Sequence, residues 1–321
     1  MVKLGLNQIQ ILVIGDAMLD VYISGKVSRI SPEAPVPVVD ILNTSYHAGG
    51  AANVAANIAS LGVNASLCAP IGNGKGDKLG YRRLLSDLNI KLWEIDEGSH
   101  SDWLSQKTRI VGNDYQIVRL DEDKFFDWKD FEEDFLAVLH DDLVTGKNAC
   151  VVLSDYGKGV LSDHICQNII EECSALKIPV FVDPKDGDWE KYRGAFCIKP
   201  NLYELSKRFG CASFRSISNV RWAAERLIND LSVASVVVTM GERGMLLVQK
   251  EEPRFMHFEA LPVGVADVSG AGDTAMAVLV TYHSAGLPLS AAVHYANKAA
   301  AVVVSRKGTQ IIRLSDIEES T

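Results

Sequence analysis

The chain has no long uninterrupted run of apolar residues and no excess of positive charge. A membrane-spanning helix needs about 20 mainly apolar residues, and the apolar run near the N-terminus is short and ends at Asp16. The 32 Lys and Arg residues are outnumbered by 41 Asp and Glu residues, giving a formal net charge of −9. Nucleic acids and anionic membranes are bound by basic patches instead. We therefore expect a cytoplasmic protein with no signal peptide, no membrane partner and no nucleic-acid partner.

Paired cysteine and histidine motifs are also missing. The six cysteines form no CxxC pair, and the seven histidines form no HExxH or HxxxH pair. A zinc site is therefore not expected. Since the cysteines lie within or beside apolar runs, we expect reduced and mostly buried thiols.

Short β-branched segments alternate with longer segments of helical periodicity. Strands are predicted at 9–16, 149–155, 178–183, 194–200 and 234–240, and helices at 49–62, 162–177 and 220–232, with a further helical pair after Asp267. Continuous apolar strands are typical of a parallel sheet that is buried on both faces. The order predicts a doubly wound α/β fold, with a mostly parallel sheet flanked by helices, as one domain over residues 1–321.

Four polar residues end predicted strands, namely Asp16, Asp155, Asp183 and Thr239. An aspartate in such a place often only begins a turn. In an open parallel sheet, however, the carboxyl ends of the strands share one edge, and ligands bind outside it. The four together predict a site at this edge.

Two segments interrupt the alternation and have no predicted helix to cover them. Residues 27–50 contain three prolines and a strand-like VPVVDIL, and residues 105–121 are typical of a hairpin with an Asn-Asp turn. We expect these regions, about 20–48 and 103–122, to form a small separate sheet. Such a sheet would be a lid over the site or a dimer surface.

The segment DVSGAGDTA, residues 267–275, combines glycines and small residues with a predicted helix start. The bare N–H groups of Gly270, Ala271 and Gly272 would there form an anion site, aided by the helix dipole. Asp273 falls in the first turn, where a carboxylate often only complements the dipole. A carboxylate beside a bound phosphate also makes sense as the acceptor of a proton from an attacking nucleophile.

The same segment fits GxGxxA, a relaxed dinucleotide fingerprint. It lies late in the chain and is followed by another helix rather than by a strand with an acidic end. This context disfavours a nicotinamide-dependent oxidoreductase, which stays open as an alternative. Similarly, Asn201 and Glu204 in KPNLYEL are a helix capping box on spacing alone, with oxygen ligation of magnesium as the alternative.

These motifs carry a resemblance to the ribokinase (PfkB) family of carbohydrate kinases over essentially the whole chain. DVSGAGDT resembles the C-terminal family signature and GGAANVAANIASLG the N-terminal glycine signature. KPNLYE matches the NxxE motif, and VVVTMGERG matches the nucleotide-binding strand and turn. The resemblance implies a ribokinase-like fold, ATP and Mg²⁺ as cofactors, and a β lid that often also serves as a dimer clasp.

The resemblance also implies roles for individual residues. Asp273 would be the catalytic base, with Gly270, Ala271 and Gly272 as the anion hole. The sugar would be contacted by Asp16, Asp20, Gly49, Gly50 and Asn53. The nucleotide would be contacted by Asn201, Glu204, Thr239, Gly241, Gly244 and Asn297, with Asn201 and Glu204 organising Mg²⁺ through water.

Within the family, SRISPEAPVPV, LSDYGKGVL and VDPK resemble kinases of D-glycero-β-D-manno-heptose 7-phosphate, which phosphorylate O1 to give the 1,7-bisphosphate for lipopolysaccharide precursors. Asp155, Lys158, Lys185 and Arg109 would then bind the sugar phosphate. Bifunctional relatives continue into a nucleotidyltransferase domain with an HxGH-type motif, which is not found here, so a kinase alone is expected. The alternatives are a kinase for fructose or tagatose phosphate, a nucleoside kinase and a non-catalytic sugar sensor.

Overall fold

The protein is described by a computed structural model over residues 5–72, 78–95, 102–128, 131–185, 187–251 and 255–318. Thirteen strands are found in these ranges: β1 (Gln10–Gly15), β2 (Ala17–Ile30), β3 (Pro37–Gly50), β4 (Asn64–Ala69), β5 (Ile90–Glu94), β6 (Ser105–Gly112), β7 (Tyr115–Glu122), β8 (Asn148–Ser154), β9 (Val180–Asp183), β10 (Cys197–Ile198), β11 (Ser235–Thr239), β12 (Met245–Gln249) and β13 (Phe255–Phe258).

Nine strands form one sheet in the order β13-β12-β11-β10-β9-β8-β1-β4-β5. All pairings from β11 to β5 are parallel, whereas β12 and β13 add an antiparallel edge beyond β11. The expected mostly parallel sheet is thus confirmed. The predicted strand at 194–200 shrinks to Cys197–Ile198, because only these two residues pair with β9 and β11.

The helices of the described ranges are α1 (Ala51–Ser60), α2 (Lys78–Asp87), α3 (Glu132–Thr145), α4 (Asp163–Leu176), α5 (Leu202–Arg208), α6 (Ile217–Leu231), α7 (Ala271–Ser284), α8 (Leu289–Val304) and α9 (Leu314–Glu318). Over those ranges, no helix combines the length and apolar character that crossing a bilayer demands. All six cysteines are free, five of them buried and Cys211 partly buried, as expected for reduced thiols.

The central strands are apolar between their ends because both faces of the sheet are covered. Along β1, Ile11 and Val13 pack into a core with α1, α7 and α8, whereas Leu12 and Ile14 pack into a second core with α3, α4 and α6. Successive side chains of a strand point to opposite faces. The continuous apolar runs in the sequence therefore reflect two cores separated by one sheet.

The four remaining strands form the small sheet, here called the lid, in the order β3-β2-β6-β7. Its two halves, residues 17–50 and 105–122, begin and end within a few residues of the expected segments. Asn113 and Asp114 both have positive φ in the β6–β7 turn, the conformation that a two-residue hairpin loop of this kind requires. The predicted hairpin is confirmed.

The lid joins the large sheet at a tight junction around Gly50. Gly50 has φ of +58°, and a Cβ there would lie 2.4 Å from the carbonyl oxygen of Asp16. Helix α1 therefore begins at Ala51 rather than at residue 49, since Gly49 and Gly50 still pair with β2. This junction brings the start of α1 close to the strand ends.

Candidate active site

The predicted polar edge is present. Strands β1, β8, β9 and β11 lie within five neighbouring positions of the sheet and end beside Asp16, Asp155, Asp183 and Thr239. Parallel strands place their carboxyl ends on the same edge, which is why residues more than 200 positions apart meet here.

A cavity of about 1010 Å³ opens along this edge. It is lined by many of the residues that the sequence singled out: Asp155, Lys185, Asn201, Glu204, Thr239, Gly241, Gly244, Gly270, Ala271, Gly272, Asp273 and Asn297. Asp16 and Lys158 line a separate small cavity. The size suits a nucleotide and a small second ligand.

The glycine loop ends at the N-terminus of α7. Gly270 caps the helix with φ of +77°, a conformation that favours glycine. The first helical hydrogen bond runs from the Thr274 N–H to the Gly270 carbonyl at 2.9 Å. Within the described residues the N–H groups of Gly272 and Asp273 have no backbone acceptor. They form a donor pair with the helix dipole behind it, which is an anion site. The predicted set differs at Ala271, whose N–H donates to the Val268 carbonyl at 3.3 Å and is therefore already used.

The two aspartates of this loop differ in what they contact. Asp267 accepts hydrogen bonds from the N–H of Ser269 at 2.9 Å and from the N–H of Gly308 at 3.1 Å. It therefore fixes the loop to the segment that follows α8. Asp273 instead faces the cavity from the first turn of α7.

Both carboxylate oxygens of Asp273 have a donor. The Tyr156 hydroxyl donates to Oδ1 at 2.6 Å, and the Asn53 amide donates to Oδ2 at 2.7 Å. Burial raises the pKa of Asp273 to about 6, with a contribution from Asp183, although the two hydrogen bonds act in the opposite direction. The carboxylate is thus a proton acceptor near neutral pH.

A buried lysine lies beside this carboxylate. The Lys199 ammonium contacts Asp183 Oδ1 at 3.0 Å and is almost fully buried. Burial is the largest single influence and opposes its charge, but the ion pair with Asp183 and the nearby charges of Glu204 and Asp273 together raise the pKa of Lys199. The ammonium lies 3.7 Å from where a Cβ on Gly272 would sit. A permanent positive charge therefore adjoins the anion site.

Asn201 and Glu204 form the capping box of α5. The Asn201 side chain accepts from the Glu204 N–H, and the Glu204 carboxylate accepts from the Asn201 N–H at 2.8 Å. Burial, aided by Asp183, raises the pKa of Glu204 to about 7. Asn201 and Glu204 therefore form the helix capping box that their spacing predicts, and the Glu204 carboxylate also lines the cavity.

The acidic side chains of the cavity determine what kind of metal ion could bind there. In the described part of the chain, no group of three His, Cys, Asp or Glu side chains is close enough to hold a metal by itself. The cavity nevertheless has Asp183, Glu204 and Asp273 around Lys199, so negative charge is in excess. Such a site suits Mg²⁺ that keeps most of its ligands as water and phosphate oxygens.

The other predicted nucleotide residues lie at one end of the cavity. Thr239 ends β11 and bridges to Asn201, and Gly241 and Gly244 form the turn before β12. The Asn297 amide donates to the Glu259 carbonyl at 2.7 Å. Asn297 thereby fixes the segment after β13 against α8 and borders the cavity.

Among the residues predicted to contact the sugar, Asp16 forms hydrogen bonds within the protein. Its carboxylate accepts hydrogen bonds from the N–H groups of Tyr156, Lys158 and Val160. It is 2% exposed, and burial, aided by Asp155, raises its pKa to about 6. Asp16 therefore holds the loop that follows β8 in place.

Three more predicted residues are engaged within the protein. Asp20 and Arg109 form a buried ion pair at 2.6 Å across strands β2 and β6. Asp155 accepts hydrogen bonds from Lys191 and Tyr192 at 2.6 and 2.5 Å. These contacts stabilise the lid and the cavity wall.

The two lysines predicted for the sugar phosphate differ. The Lys158 ammonium is bound by Asp123 at 2.7 Å and lies over the Phe125 ring. Lys185 borders the cavity, and its ammonium lies 5.8 Å from the centre of the Tyr156 ring. The structure adds Lys107 of the lid, 5.7 Å from the same ring. Among the described residues, no carboxylate lies within ion-pair distance of Lys107 or Lys185.

Tyr156, Lys199 and Lys107 were not identified from the sequence. Tyr156 directly follows Asp155, and Lys199 lies two residues before Asn201 of the capping box, so proximity to motif residues was the available signal. Lys107 gave no signal, since its place depends on the pairing of β6 with β2.

Comparison with known proteins identifies the family. The model of the pfkB family carbohydrate kinases matches residues 8–316. The chain is 39% identical over 315 residues to the bifunctional protein HldE of Methylobacillus flagellatus, covering 98% of this chain and 64% of that protein. It is likewise 39% identical over 318 residues to HldE of Campylobacter curvus, covering 98% and 65%. The chain thus spans about two thirds of the length of these curated relatives.

Solved structures share the fold at low sequence identity. Phosphofructokinase-2 from Escherichia coli, in complex with potassium, superposes with a TM-score of 0.76 at 21% identity, covering 97% of each chain. Ribokinase from Arabidopsis thaliana, complexed with ribose and ATP, superposes with a TM-score of 0.71 at 19% identity, again over 97% of each chain. The fold is therefore ribokinase-like. The match over nearly the whole chain shows that the protein belongs to the pfkB family of carbohydrate kinases.

Proposed function

We propose that the protein transfers the γ-phosphate of ATP to O1 of D-glycero-β-D-manno-heptose 7-phosphate and gives the 1,7-bisphosphate. The observation that carries the transfer chemistry is the position of Asp273, a buried carboxylate in the first turn of α7, where the N–H groups of Gly272 and Asp273 form the donor pair, here called the cradle. An acceptor hydroxyl beside Asp273 would face a phosphate held by the N–H groups of that turn. This is the alignment that phosphoryl transfer needs.

In the proposed reaction the O1 oxygen attacks the γ-phosphorus and the bond to the β–γ bridging oxygen breaks. ADP leaves, and the O1 proton passes to Asp273. The cradle N–H groups and Lys199 stabilise the charge on the phosphoryl oxygens. Asn201 and Glu204 would hold Mg²⁺ through water, and the ion would supply further charge neutralisation.

Two observations support a substrate that already carries a phosphate. The ammonium groups of Lys107 and Lys185 lie 5.7 and 5.8 Å from the centre of the Tyr156 ring, and no carboxylate of the described residues is within ion-pair distance of either. Free cations near a site in an acidic protein suit an anionic ligand. The relatives named HldE and the heptose-kinase motifs of the sequence support the heptose.

The proposal is tested by a coupled ADP-release assay over a panel of acceptors. The panel contains the heptose 7-phosphate, fructose 6-phosphate, tagatose 6-phosphate, ribose and a nucleoside. We expect the largest kcat/KM with the heptose 7-phosphate, and a bisphosphate product by mass spectrometry. A larger kcat/KM with another acceptor would reject the heptose assignment and keep the kinase chemistry.

Replacing Lys185 by methionine is expected to raise KM for the sugar phosphate by at least about tenfold, since a charge-assisted contact is lost. The KM for ATP should change little. For an acceptor without a phosphate, the variant and the wild type should have the same KM. Initial-rate kinetics on both acceptors measure this difference.

Lys158→Met is the matched control, because it removes the same charge from an ammonium that Asp123 already binds. It should change KM for the sugar phosphate less than Lys185→Met does. If the order of the two variants is reversed, Lys158 is the phosphate ligand and Lys185 is not.

We also propose that the lid pairs with the lid of a second copy. Its edge strands β3 and β7 expose large apolar side chains, among them Ile41, Leu42, Tyr115 and Leu120. Changing Ile41 and Leu42 to serine should shift the protein from dimer to monomer in sedimentation, whereas Val138→Ser on α3 should not. A monomeric wild type at micromolar concentration would contradict the proposal.

A further inference from the structure

Tyr156 occupies a position that the proposed mechanism does not explain. Its hydroxyl donates to Oδ1 of Asp273 at 2.6 Å. A hydroxyl that is to lose its proton to Asp273 has to approach a carboxylate oxygen to about the same distance. The phenol therefore lies where an acceptor hydroxyl would lie.

The second donor to Asp273 is fixed much more firmly. Asn53 is 1% exposed, and its side-chain and backbone oxygens both accept from the Asn57 amide. Asn57 in turn accepts from the N–H of Ile312 at 2.9 Å. This network ties α1 to the C-terminal segment and holds the Asn53 amide against Oδ2. An incoming hydroxyl therefore approaches from the side of Oδ1.

The surroundings of Tyr156 leave room for its side chain to move away from Asp273. It borders the cavity and lies on the loop after β8, where Gly157 and Gly159 have positive φ. Its backbone N–H donates to Asp16, so the backbone is anchored independently of the hydrogen bond that the hydroxyl donates to Asp273. Burial, aided by Asp273, raises the pKa of the Tyr156 phenol, so it remains a neutral donor.

We infer that the Tyr156 hydroxyl stands in for the acceptor hydroxyl on Asp273 until the sugar binds, and thereby keeps water off the base. A water molecule at that position would have its proton removed by Asp273, attack the γ-phosphorus and release ADP and inorganic phosphate. The phenol prevents this by occupying the carboxylate oxygen, and the sugar displaces it. The inference rests on the proposed role of Asp273, and it makes Tyr156 a positioning residue.

The test is Tyr156→Phe, which removes one oxygen and keeps the ring. With MgATP and no sugar, phosphate release should rise by at least about tenfold over the wild type, since a base contributes about 10²–10⁴ to a rate. Turnover with the sugar phosphate should stay within about tenfold of the wild type. The ratio of hydrolysis to sugar phosphorylation is the measured quantity.

The pH profile separates this role from simple support of the fold. Asp273 has to be ionised to accept a proton, so kcat/KM of the wild type should fall as the pH drops through about 6. The phenol hydrogen bond lowers the pKa of Asp273, so its removal should move the acidic limb to higher pH. An effect on folding alone would leave the limb in place.

Two controls complete the design. Tyr81→Phe removes another buried phenol, which donates to the Met18 carbonyl at 3.1 Å, and should leave sugar-free hydrolysis unchanged. Adding Asp273→Asn to Tyr156→Phe should abolish the extra hydrolysis, because no base remains. Hydrolysis that does not rise in Tyr156→Phe, or that survives Asp273→Asn, overturns the inference. The assay contains no sugar, so a wrong heptose assignment would be seen separately in the acceptor panel.

Discussion

The Asp273→Asn variant is expected to lose about 10²–10⁴-fold in kcat, because an amide cannot accept the proton of the attacking hydroxyl. The KM for ATP should change little, since the cradle consists of backbone N–H groups of the same turn. Steady-state kinetics with the preferred acceptor measure both values. The control Asp87→Asn makes the same chemical change at an exposed residue of α2 and should retain activity.

The loss should not come from unfolding. The pKa of Asp273 is raised from 3.8 to about 6 in the folded protein, so the folded state binds the proton more tightly than the unfolded state. Stability from this group is therefore present at low pH and lost as the pH rises through this interval. The ionised carboxylate opposes folding at neutral pH by about 3 kcal/mol. The asparagine variant should thus have a melting temperature no lower than that of the wild type.

An Asp273→Asn protein with near-normal turnover and normal nucleotide binding would show that another group takes the proton. Loss of ATP binding together with kcat would indicate instead that the variant disturbs the cradle. These two outcomes are separated by measuring nucleotide binding directly.

The Lys199→Met variant is expected to lose about 3–5 kcal/mol in the free energy of unfolding. The Lys199 ammonium is 3.0 Å from Asp183, with side chains 3% and 16% exposed. Removing only the lysine leaves Asp183 buried and unpaired beside Asp273. Urea unfolding measures the loss.

The stability of Lys199→Met is compared with that of the double variant Asp183→Asn, Lys199→Met. The double variant removes both charges of the pair, so most of the lost stability should return. Activity should not return, because the positive charge beside the Gly272 turn is still missing. A single variant that is as stable as the wild type would mean that the ion pair is not buried in solution. A fully active double variant would remove Lys199 from the proposed charge stabilisation.

Residue patterns alone predicted the doubly wound sheet and the edge at which its polar residues meet. The apolar runs that end at Asp16, Asp155 and Asp183 carry this information locally, because a strand buried on both faces has to be apolar throughout. The helix start after Gly270 could also be predicted from the local sequence, since small residues followed by an apolar helical segment define it. The boundaries of β10 and α1 shifted because pairing with neighbours, rather than composition, ends an element.

The sequence by itself determined which elements form and which edge of the sheet carries the polar groups, since both follow from periodicity along the chain. Only the tertiary structure decided which polar groups contact each other. Tyr156 lies 117 positions from the Asp273 carboxylate that it contacts, and Lys158 contacts Asp123, although its position after Asp155 resembled that of a ligand-binding lysine. Such choices depend on packing differences of about an ångström between side chains brought together by distant loops, and these distances leave no periodic trace in the sequence.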